Sequence, residues 1–410
     1  MKAEQFTKLK ALLARVEQHS PFYQNKFKAA GLAVEAITTP ADIVHIPFTT
    51  KEELREAYPL NIQAVPDEEI VRIHSSSGTT GKPIIIPYTA RDVADWAEMM
   101  RRCMAVAELT AKDRVQITPG YGLWTAGIGF QAGVERLGAM AIPMGPGNTE
   151  KQLQMMMDLE STVITATSSY ALLLAEEIRK RGLKDRIKLR KAILGSERWG
   201  DKMRTRIREE LGVELYDIYG LTEIYGPGIS ISCKRGNGLH YWDDYLLFEI
   251  INPKTGQPVA DGEFGELVIT TLTKEGAPLI RYRTRDITRM LPEECPCGMA
   301  HPRHDLILGR TDDMVKVKGV NIYPGQVEDV LKHIEGISSE YQIVLDREEG
   351  KDTMLLRFEQ QAGFDGAHLE RNVKKYFKTK VGISIDTQAL AIGQLPRSEK
   401  KTNRVMDHRY

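Results

Sequence analysis

The chain has 410 residues, 42% of them hydrophobic and 27% charged, a length that predicts two or three domains at about 150 residues each. Lys and Arg total 56 and Asp and Glu total 56, so no chain-wide basic field exists to hold nucleic acid or an anionic membrane. No apolar run approaches the roughly 18 residues that span a bilayer, and four cysteines fit a reducing compartment. We therefore expect a cytoplasmic protein that binds neither nucleic acid nor membrane.

The N-terminal 20 residues predict an amphipathic helix docked on the protein. Phe6, Leu9, Leu13 and Val16 follow helical spacing, and the acidic residues among them are unlike a signal or transit peptide. A proline-punctuated stretch follows to about Pro66, with a short helical pattern near residues 51–58.

From Ile70 to about Leu215, β-like runs alternate with helical patterns, which is typical of parallel βαβ units. The runs are 71–73, 84–86, 115–118, 140–143, 163–166 and 192–194, and the helical patterns include 92–106 and 149–158. To about Leu308 the texture changes to shorter β-like pieces between turns, such as 246–251 and 266–271. The remaining residues predict a compact module of about 100 residues.

The predicted fold class is therefore α/β, with a large N-terminal region of parallel βαβ layers, a β-rich subdomain and a small C-terminal α+β domain. The expected boundaries are a lead-in at 1–69, an α/β core at 70–214, a β-rich part at 215–311 and a C-terminal domain at 312–410.

The most informative motif is HSSSGTTGKP at residues 74–83, between two β-like runs. Glycines and small hydroxyl residues let a turn expose several backbone N–H groups, and Lys82 adds a mobile positive charge, which together suit phosphate oxygens. The motif is not a P-loop of the GxxxxGK[ST] type, since Ser76 stands where the first glycine would be and Pro83 follows the lysine. A solvated Ser/Gly linker is the alternative.

Further motifs complete a specific resemblance: YGLTE at 219–223, RYRTRD at 281–286, GRTDDMVKVKG at 309–319 and PRSEKKTNRV at 396–405. With SSSGTTGKP they resemble the adenylate-forming ligases. PFYQNKF, IPFTTKEELR, GYGLWTAG and YGLTEIYGPG are similar, in order and spacing, to the phenylacetate–coenzyme A ligase family from about residue 20 onwards. The resemblance implies that a carboxylate attacks the α-phosphate of ATP and that coenzyme A then displaces AMP.

The resemblance also implies roles for individual residues. Tyr219 would stack on adenine, Thr222 would contact the α-phosphate and Glu223 would coordinate magnesium. Asp286 and Arg310 would hold the ribose hydroxyls, and a carboxylate can indeed accept both hydrogen bonds of a vicinal diol. The loop residues that would cradle the triphosphate are Ser75, Ser76, Ser77, Gly78, Thr79, Thr80, Gly81 and Lys82.

Two C-terminal features follow from the same resemblance. The alignment puts Lys401 on the family's catalytic lysine, which bridges the acid and the α-phosphate, although the neighbouring Lys400 stays an alternative. Asp312 occupies the hinge about which a mobile C-terminal lid would rotate between the two half-reactions. An exposed lysine pair and an Asp-Asp turn are the structural alternatives.

The acid-binding pocket is expected around Tyr121, Gly122 and Trp124, together with Tyr219 and Gly220. Aromatic faces stack on a flat apolar ligand and glycine permits its close approach. The family's GSEPW-like segment corresponds to Gly195, Ser196 and Glu197, followed here by Arg198 where proline is common.

The cysteines give an independent signal. A CxC pair and a Cys/His pair occur in the β-rich subdomain and could form a tetrahedral structural zinc site. His301 and His304 are competing ligands, and free thiols are the alternative to a metal. The predicted zinc ligands are Cys233, His240, Cys295 and Cys297.

The sequence thus predicts an AMP-forming aryl-acid–coenzyme A ligase, with phenylacetate as the expected acid and ATP, magnesium and coenzyme A as its other requirements. The resemblance also favours a homodimer. The alternatives are adenylation of another aromatic acid with a different acyl acceptor, or a nucleotide-binding regulator without turnover.

Overall fold

The computed structural model describes residues 1–76, 82–235, 237–317, 320–348, 351–399 and 402–409. Its helices are α1 (Ala3–His19), α2 (Pro21–Ala30), α3 (Lys51–Glu56), α4 (Ala90–Val106), α5 (Ala126–Leu137), α6 (Thr149–Asp158), α7 (Ser168–Lys180), α8 (Asp201–Leu211), α9 (Pro324–Lys332) and α10 (Gly366–Val381), with 3₁₀ turns at Val34–Ala36, Pro40–His45, Asp67–Glu69 and Lys184–Arg186.

The strands up to residue 251 are β1 (Ile70–Ser75), β2 (Ile85–Thr89), β3 (Arg114–Ile117), β4 (Met140–Pro143), β5 (Val163–Thr167), β6 (Lys191–Gly195), β7 (Glu214–Leu221), β8 (Gly226–Ser232), β9 (Leu239–Tyr241) and β10 (Leu246–Ile251). The later strands are β11 (Gly265–Thr271), β12 (Tyr282–Thr288), β13 (Met290–Leu291), β14 (Arg303–His304), β15 (Gly309–Arg310), β16 (Val315–Val317), β17 (Val320–Ile322), β18 (Ile337–Glu348), β19 (Lys351–Gln360), β20 (Asp386–Ala391) and β21 (Val405–Asp407).

The chain divides into two compact units. Unit 1 comprises residues 1–145, 162–165 and 216–307, and unit 2 comprises residues 146–161, 166–215 and 308–410.

Unit 1 contains parallel and antiparallel sheet segments. β3 pairs in parallel with both β4 and β5, as expected for βαβ connections. β7 and β8 form an antiparallel pair. β9 pairs with β8, β14 with β9 and β13 with β14, each in the antiparallel sense. β10, β11 and β12 form a separate antiparallel group. This mixture explains why the sequence texture changes beyond residue 215.

The N-terminal helix docks as predicted. Leu9, Leu13 and Val16 of α1 are fully buried in a cluster that also takes Leu247 and Ile280 from the β-rich part. Phe6 packs at the rim of the same cluster and is only partly buried. The apolar face of α1 therefore anchors the first helix on elements more than 200 residues later in the chain.

One part of the predicted topology is wrong. The runs at 71–73 and 84–86 were expected among the parallel βαβ elements, but β1 and β2 pair with each other as a separate antiparallel hairpin. The physical reason is chain length, because a parallel crossover needs about a dozen residues or more and only nine residues separate β1 from β2.

Unit 2 holds α6, α7, α8 and β6 together with the C-terminal elements. β20, β19, β18 and β21 form a four-stranded sheet with both parallel and antiparallel pairs. Val327 and Leu331 of α9 and Val373 and Phe377 of α10 pack into one core with this sheet. Within the described residues, no helix has the length and apolar character required to cross a membrane.

The buried Asp92 fixes the start of α4 in unit 1. Thr89 caps the helix and exchanges hydrogen bonds with Asp92, whose carboxylate also accepts from the backbone N–H groups of Glu275 (2.7 Å) and Gly276 (2.8 Å). The carboxylate thus joins a helix N-terminus to a distant loop and satisfies N–H groups that burial would otherwise leave unpaired.

We predict that Asp92→Ala destabilises unit 1 by about 3 kcal/mol, because it removes several charge-assisted hydrogen bonds at a buried position. The apparent Tm in calorimetry should fall by roughly 8 °C. Asp42→Ala is the matched control, since Asp42 also completes a capping box but is only partly buried, and it should lower the Tm far less. Equal losses in the two variants would contradict the prediction.

Candidate active site

The two ends of the predicted phosphate loop are fixed by hydrogen bonds. Ser75 at the end of β1 donates its N–H to the Leu123 carbonyl (2.8 Å), and Ser76 exchanges hydrogen bonds with Ile84 on the other side of the loop (3.0 Å each). Lys82 places its Nζ 5.5 Å from the centre of the Tyr58 ring. The predicted loop residues Ser77, Gly78, Thr79, Thr80 and Gly81 lie outside the described residues.

The loop of the predicted acid pocket contacts the end of β1, because Leu123, which accepts the hydrogen bond from Ser75, belongs to the pocket loop. Leu123 and Trp124 are exposed side by side, at 52% and 55%, and adjacent exposed apolar side chains can mark a ligand-binding surface. A Cβ on Gly127 would lie 2.6 Å from the Tyr121 ring, so glycine is required for the ring to pack on α5. The hydroxyl of Tyr121 is buried with no hydrogen-bond partner among the described residues, and burial raises the pKa of Tyr121 to about 12. A buried phenol without a partner is available to a ligand.

The YGLTE segment comprises the last three residues of β7 and the start of the turn to β8. A Cβ on Gly220 would lie 1.9 Å from the Gly226 carbonyl oxygen, so only glycine fits there. Beyond it, the Thr222 hydroxyl lies 3.4 Å from that of Thr125, at the start of α5. The turn therefore brings YGLTE against the acid-pocket loop.

Tyr219 and Asp286 are brought together from strands 67 residues apart. The Tyr219 hydroxyl donates to Oδ2 of Asp286 at 2.5 Å, and the carboxylate is buried at 7% exposure. Of the neighbouring arginines, Arg283 bonds Glu266 and Arg285 bonds Glu52. The structure thus joins the predicted adenine and ribose residues directly.

Glu223 is buried in unit 1 beside cations that motif reading did not single out. Its carboxylate lies 3.2 Å from the Lys51 ammonium group, at the first residue of α3. Lys274 is fully buried between the rings of Tyr88 and Tyr225 and donates to the Ile224 carbonyl. Burial lowers the pKa of Lys274 to about 7, against the opposing attraction of Asp92 and Glu223.

Glu197 is at the centre of a hydrogen-bond cluster in unit 2. Its carboxylate accepts from the backbone and hydroxyl of Ser169 (2.6 and 2.9 Å) and from the Ser168 hydroxyl (3.0 Å). It also accepts from the backbone N–H of Thr402 (3.1 Å), whose hydroxyl donates to Ser169 at 2.6 Å. Gly195 ends β6 directly before this cluster, and Ser196 has a left-handed φ of 71°.

Lys400 and Lys401 lie outside the described residues, but both flanks of the pair are placed. Thr402 is held by Glu197, and Glu399 accepts from the Thr149 hydroxyl at 2.8 Å. Arg310 and Asp312 form a local ion pair in the same unit (2.8 Å). The segment around the predicted catalytic lysine is therefore anchored on α6, α7 and the residues after β6.

The four predicted zinc ligands also converge. One ligand atom from each of Cys233, His240, Cys295 and Cys297 lies within 4.8 Å of the others.

Sequence reasoning missed several residues of these clusters. Lys51 lies in TTKEELR and Thr402 in PRSEKKTNRV, two segments that resemble the family, but the sequence analysis gave neither residue a role. Lys274 and Ser169 lie in none of the motifs. Only long-range pairing brings them to the site, and a pattern along the chain does not reveal such pairing.

Two comparisons define the class of protein. Residues 6–273 match the family model described as AMP-binding enzyme, and residues 319–409 match the AMP-binding enzyme C-terminal domain. Among solved structures, the chain superposes on 2-hydroxyisobutyryl-CoA ligase in the postadenylation state with a TM-score of 0.89 and 27% identity, covering 99% of this chain and 89% of that one. The fold is that of an adenylate-forming enzyme.

Two curated relatives identify the family to which the chain belongs within this class of enzymes. The chain is 41% identical over 420 residues to phenylacetate–coenzyme A ligase of Escherichia coli, covering 100% of this chain and 95% of that protein. It is also 41% identical over 430 residues to phenylacetate–coenzyme A ligase of Thermus thermophilus, covering 100% and 97%. The chain belongs to the phenylacetate–coenzyme A ligase family, so it is a CoA ligase of the AMP-forming acid–thiol class.

The buried Lys274 generates a pH-dependent prediction. Its pKa is about 7 in the folded protein and near 10.5 when exposed, so the unfolded chain binds more protons between these values and stability rises with pH. The stability of the native protein relative to Lys274→Met should therefore increase from about pH 7 to about pH 9 and level off below about pH 7. Tm values across this range test it, and a constant difference between the two proteins would contradict it.

Proposed function

We propose that the protein converts phenylacetate to phenylacetyl-CoA in two steps. The carboxylate of the acid attacks the α-phosphorus of ATP, forming an acyl-adenylate and releasing pyrophosphate. The thiol of coenzyme A then attacks the acyl carbon, forming a thioester and releasing AMP and a proton. The full-length similarity to phenylacetate–coenzyme A ligases supports this choice of acid and acceptor.

One observation carries the proposal: hydrogen bonds join the segments predicted to bind triphosphate, acid and nucleoside within unit 1. Ser75 bonds the acid-pocket loop at Leu123, and Thr125 at the end of that loop contacts Thr222. Three residues before Thr222, Tyr219 bonds Asp286. An acid held in the pocket would thus be adjacent to the α-phosphate of a nucleotide held by YGLTE.

The nucleotide would be held by the groups that the family resemblance indicates. The loop from Ser75 to Lys82 would bind the triphosphate through backbone N–H groups and the lysine. Tyr219 would stack on adenine, and Asp286 would accept hydrogen bonds from the ribose hydroxyls with help from Arg310. The Tyr219–Asp286 hydrogen bond supports this arrangement because it orients both groups before ATP arrives.

Magnesium fits the chemistry of Glu223. A buried carboxylate is a hard oxygen ligand, and the neighbouring Lys51 shows that the site already balances its charge with a cation. Mg²⁺ would neutralise charge on the phosphate oxygens and on the pyrophosphate that leaves. Glu223 would orient the ion, while Lys51 would be free to contact a phosphate oxygen.

The acid would bind among Tyr121, Gly122 and Trp124, with Gly220 on the opposite side. An aromatic acid suits this pocket, since Trp124 offers an exposed ring and Tyr121 a hydroxyl without a partner among the described residues. Gly122 has a φ of 85°, a conformation that favours glycine, so no side chain projects from the loop at that point.

Adenylation further requires a cation between the acid and the α-phosphate, and we assign this role to Lys401. The hydrogen bonds of Thr402 with Glu197 and Ser169 would position the lysine segment for this step. Residues 312–410 would act as the mobile lid, with Asp312 as the hinge. Location in the cytoplasm and a homodimer stay predictions from composition and family resemblance.

A panel of carboxylic acids, assayed for AMP release with and without coenzyme A, tests the function. AMP release that is strongest with phenylacetate and dependent on coenzyme A is expected. Preference for another aromatic acid, or turnover that needs a different acceptor, would support the alternative ligase. ATP binding without AMP release for any acid would indicate a nucleotide-binding regulator.

The lysine assignment gives a separate prediction. Lys401→Ala should slow acid-dependent pyrophosphate exchange at least about 100-fold, because it removes a charge that stabilises the transition state, while ATP binding remains. Lys400→Ala is the matched control and should retain most of the exchange. Full exchange in Lys401→Ala, together with loss in Lys400→Ala, would move the role to Lys400.

The ribose contact can be tested independently. Asp286→Asn should raise KM for ATP about tenfold, since the amide replaces a charged group that accepts two hydrogen bonds, with little change in KM for the acid. Tyr219→Phe keeps the ring and removes only the hydroxyl, so its effect on KM for ATP should be smaller. An unchanged KM for ATP in Asp286→Asn would exclude the ribose role.

A further inference from the structure

The Cys/His cluster of unit 1 has the dimensions of a tetrahedral metal site. Sγ of Cys233 lies 3.6 Å from Sγ of Cys295, and Sγ of Cys297 lies 3.3 Å from Nε2 of His240. Zinc bonds of about 2.3 Å to sulfur and about 2.0 Å to nitrogen place tetrahedral ligand atoms roughly 3.6 to 3.8 Å apart. The four side chains therefore need only small movements to enclose one ion.

The imidazole of His240 is oriented for metal binding. Its Nδ1 bonds the main-chain carbonyl of His301 at 2.8 Å, which leaves the lone pair of Nε2 directed at the thiols. The competing histidines are engaged elsewhere, since His301 bonds Asp243 (2.7 Å) and His304 bonds Ser230 (2.8 Å). The ligand set is thus three sulfurs and one nitrogen, which favours zinc over hard cations.

The backbone from Cys295 to Gly298 forms a tight turn that suits a metal site. The N–H of Gly298 bonds the Cys295 carbonyl (3.0 Å), and Gly298 has a left-handed φ of 76°. This tight turn brings Cys295 and Cys297, two residues apart, to the same point. Glycine takes this conformation without strain, whereas a residue with a Cβ would not.

The loop that carries this turn has few other means of anchorage. From Pro292 to Ala300, Cys295 is the one buried side chain. The strands on either side, β13 and β14, contain two residues each. So little apolar burial does not offset the entropy of ordering the loop, and a metal bound by thiolates would supply the missing stabilisation.

We infer that Cys233, His240, Cys295 and Cys297 bind one structural zinc ion that anchors the loop before β14. A disulfide between Cys233 and Cys295 would leave the third thiol and the imidazole without a reason to converge. A filled set of four protein ligands leaves no open position for a substrate, so the ion has no catalytic role.

The anchored loop is followed by β14, whose residue His304 packs against Tyr219. β14 pairs with β9, placing Arg303 opposite His240 and His304 opposite Leu239. The ring of His304 packs against the ring of Tyr219 with centroids 5.7 Å apart. By fixing the loop, zinc would hold β14 in register and keep His304 behind the predicted adenine residue.

Metal analysis of the native full-length protein tests the inference without any ligase assay. Protein purified without chelators should hold close to one zinc ion per chain, and cobalt should replace it with a thiolate charge-transfer band and intense tetrahedral d–d bands. Cys295→Ser should lose most of the zinc. Cys103→Ser is the matched control, since Cys103 is buried in α4 and bonds the Gly228 carbonyl, and it should retain the metal.

Two measurements on the native protein test the inference without variants, which could fail to fold. A thiol reagent added under native conditions should release zinc in step with the modification of cysteines. Hydrogen exchange after chelation should accelerate in residues 292–304 and stay unchanged in β3 and β4. Native protein without zinc or cobalt binding would overturn the inference, as would equal exchange in 292–304 with and without the metal. The ligase proposal stands or falls separately, on the acid panel.

Discussion

The close approach of the main chain at Gly220 to the Gly226 carbonyl is the constraint on which the candidate site depends. A Cβ at Gly220 would lie 1.9 Å from that oxygen, so the β7–β8 turn closes only with glycine there. Tyr219 lies near the end of β7, and Thr222 and Glu223 lie in the turn that follows. The backbone geometry at Gly220 therefore fixes where the turn places Thr222 and Glu223, two of the groups proposed to bind ATP.

The balance of charge in unit 1 is local. The whole chain has no net charge, yet Glu223 is buried beside Lys51 and close to the field of Lys274. A buried carboxylate without a cation would be costly, and the ion pair with Lys51 offsets that cost. Because Lys274 has a pKa of about 7, that balance changes near neutral pH.

Sequence patterns predicted the elements whose signals are local. The helix of residues 149–158 and the strands 140–143 and 246–251 have the bounds that hydrophobic periodicity gave. The pairing of β1 with β2 was missed because short apolar runs do not reveal their partners. At the site, motifs indicated Tyr219 and Asp286 separately, but only the fold shows that they share a hydrogen bond. Lys274 carried no signal, since a buried lysine looks like any surface lysine in sequence.

Two segments poor in apolar residues are held by different chemistry, and the difference suits their proposed roles. In residues 292–300, Cys295 and Cys297 meet a third thiol and an imidazole from elsewhere in unit 1. Zinc–thiolate bonds would hold this loop permanently behind Tyr219. The segment before Lys401 is held by ion pairs of Arg397 with Glu176 and Glu359, and the segment after it by hydrogen bonds of Thr402. The Arg397 pairs are largely buried, with Glu359 fully inaccessible to water, so breaking one of them would be costly. If Lys401 serves adenylation and is then withdrawn, as we propose, the hydrogen bonds of Thr402 would have to break while the buried Arg397 pairs stay intact. The support of the proposed adenine-binding residue would not have to break in either half-reaction.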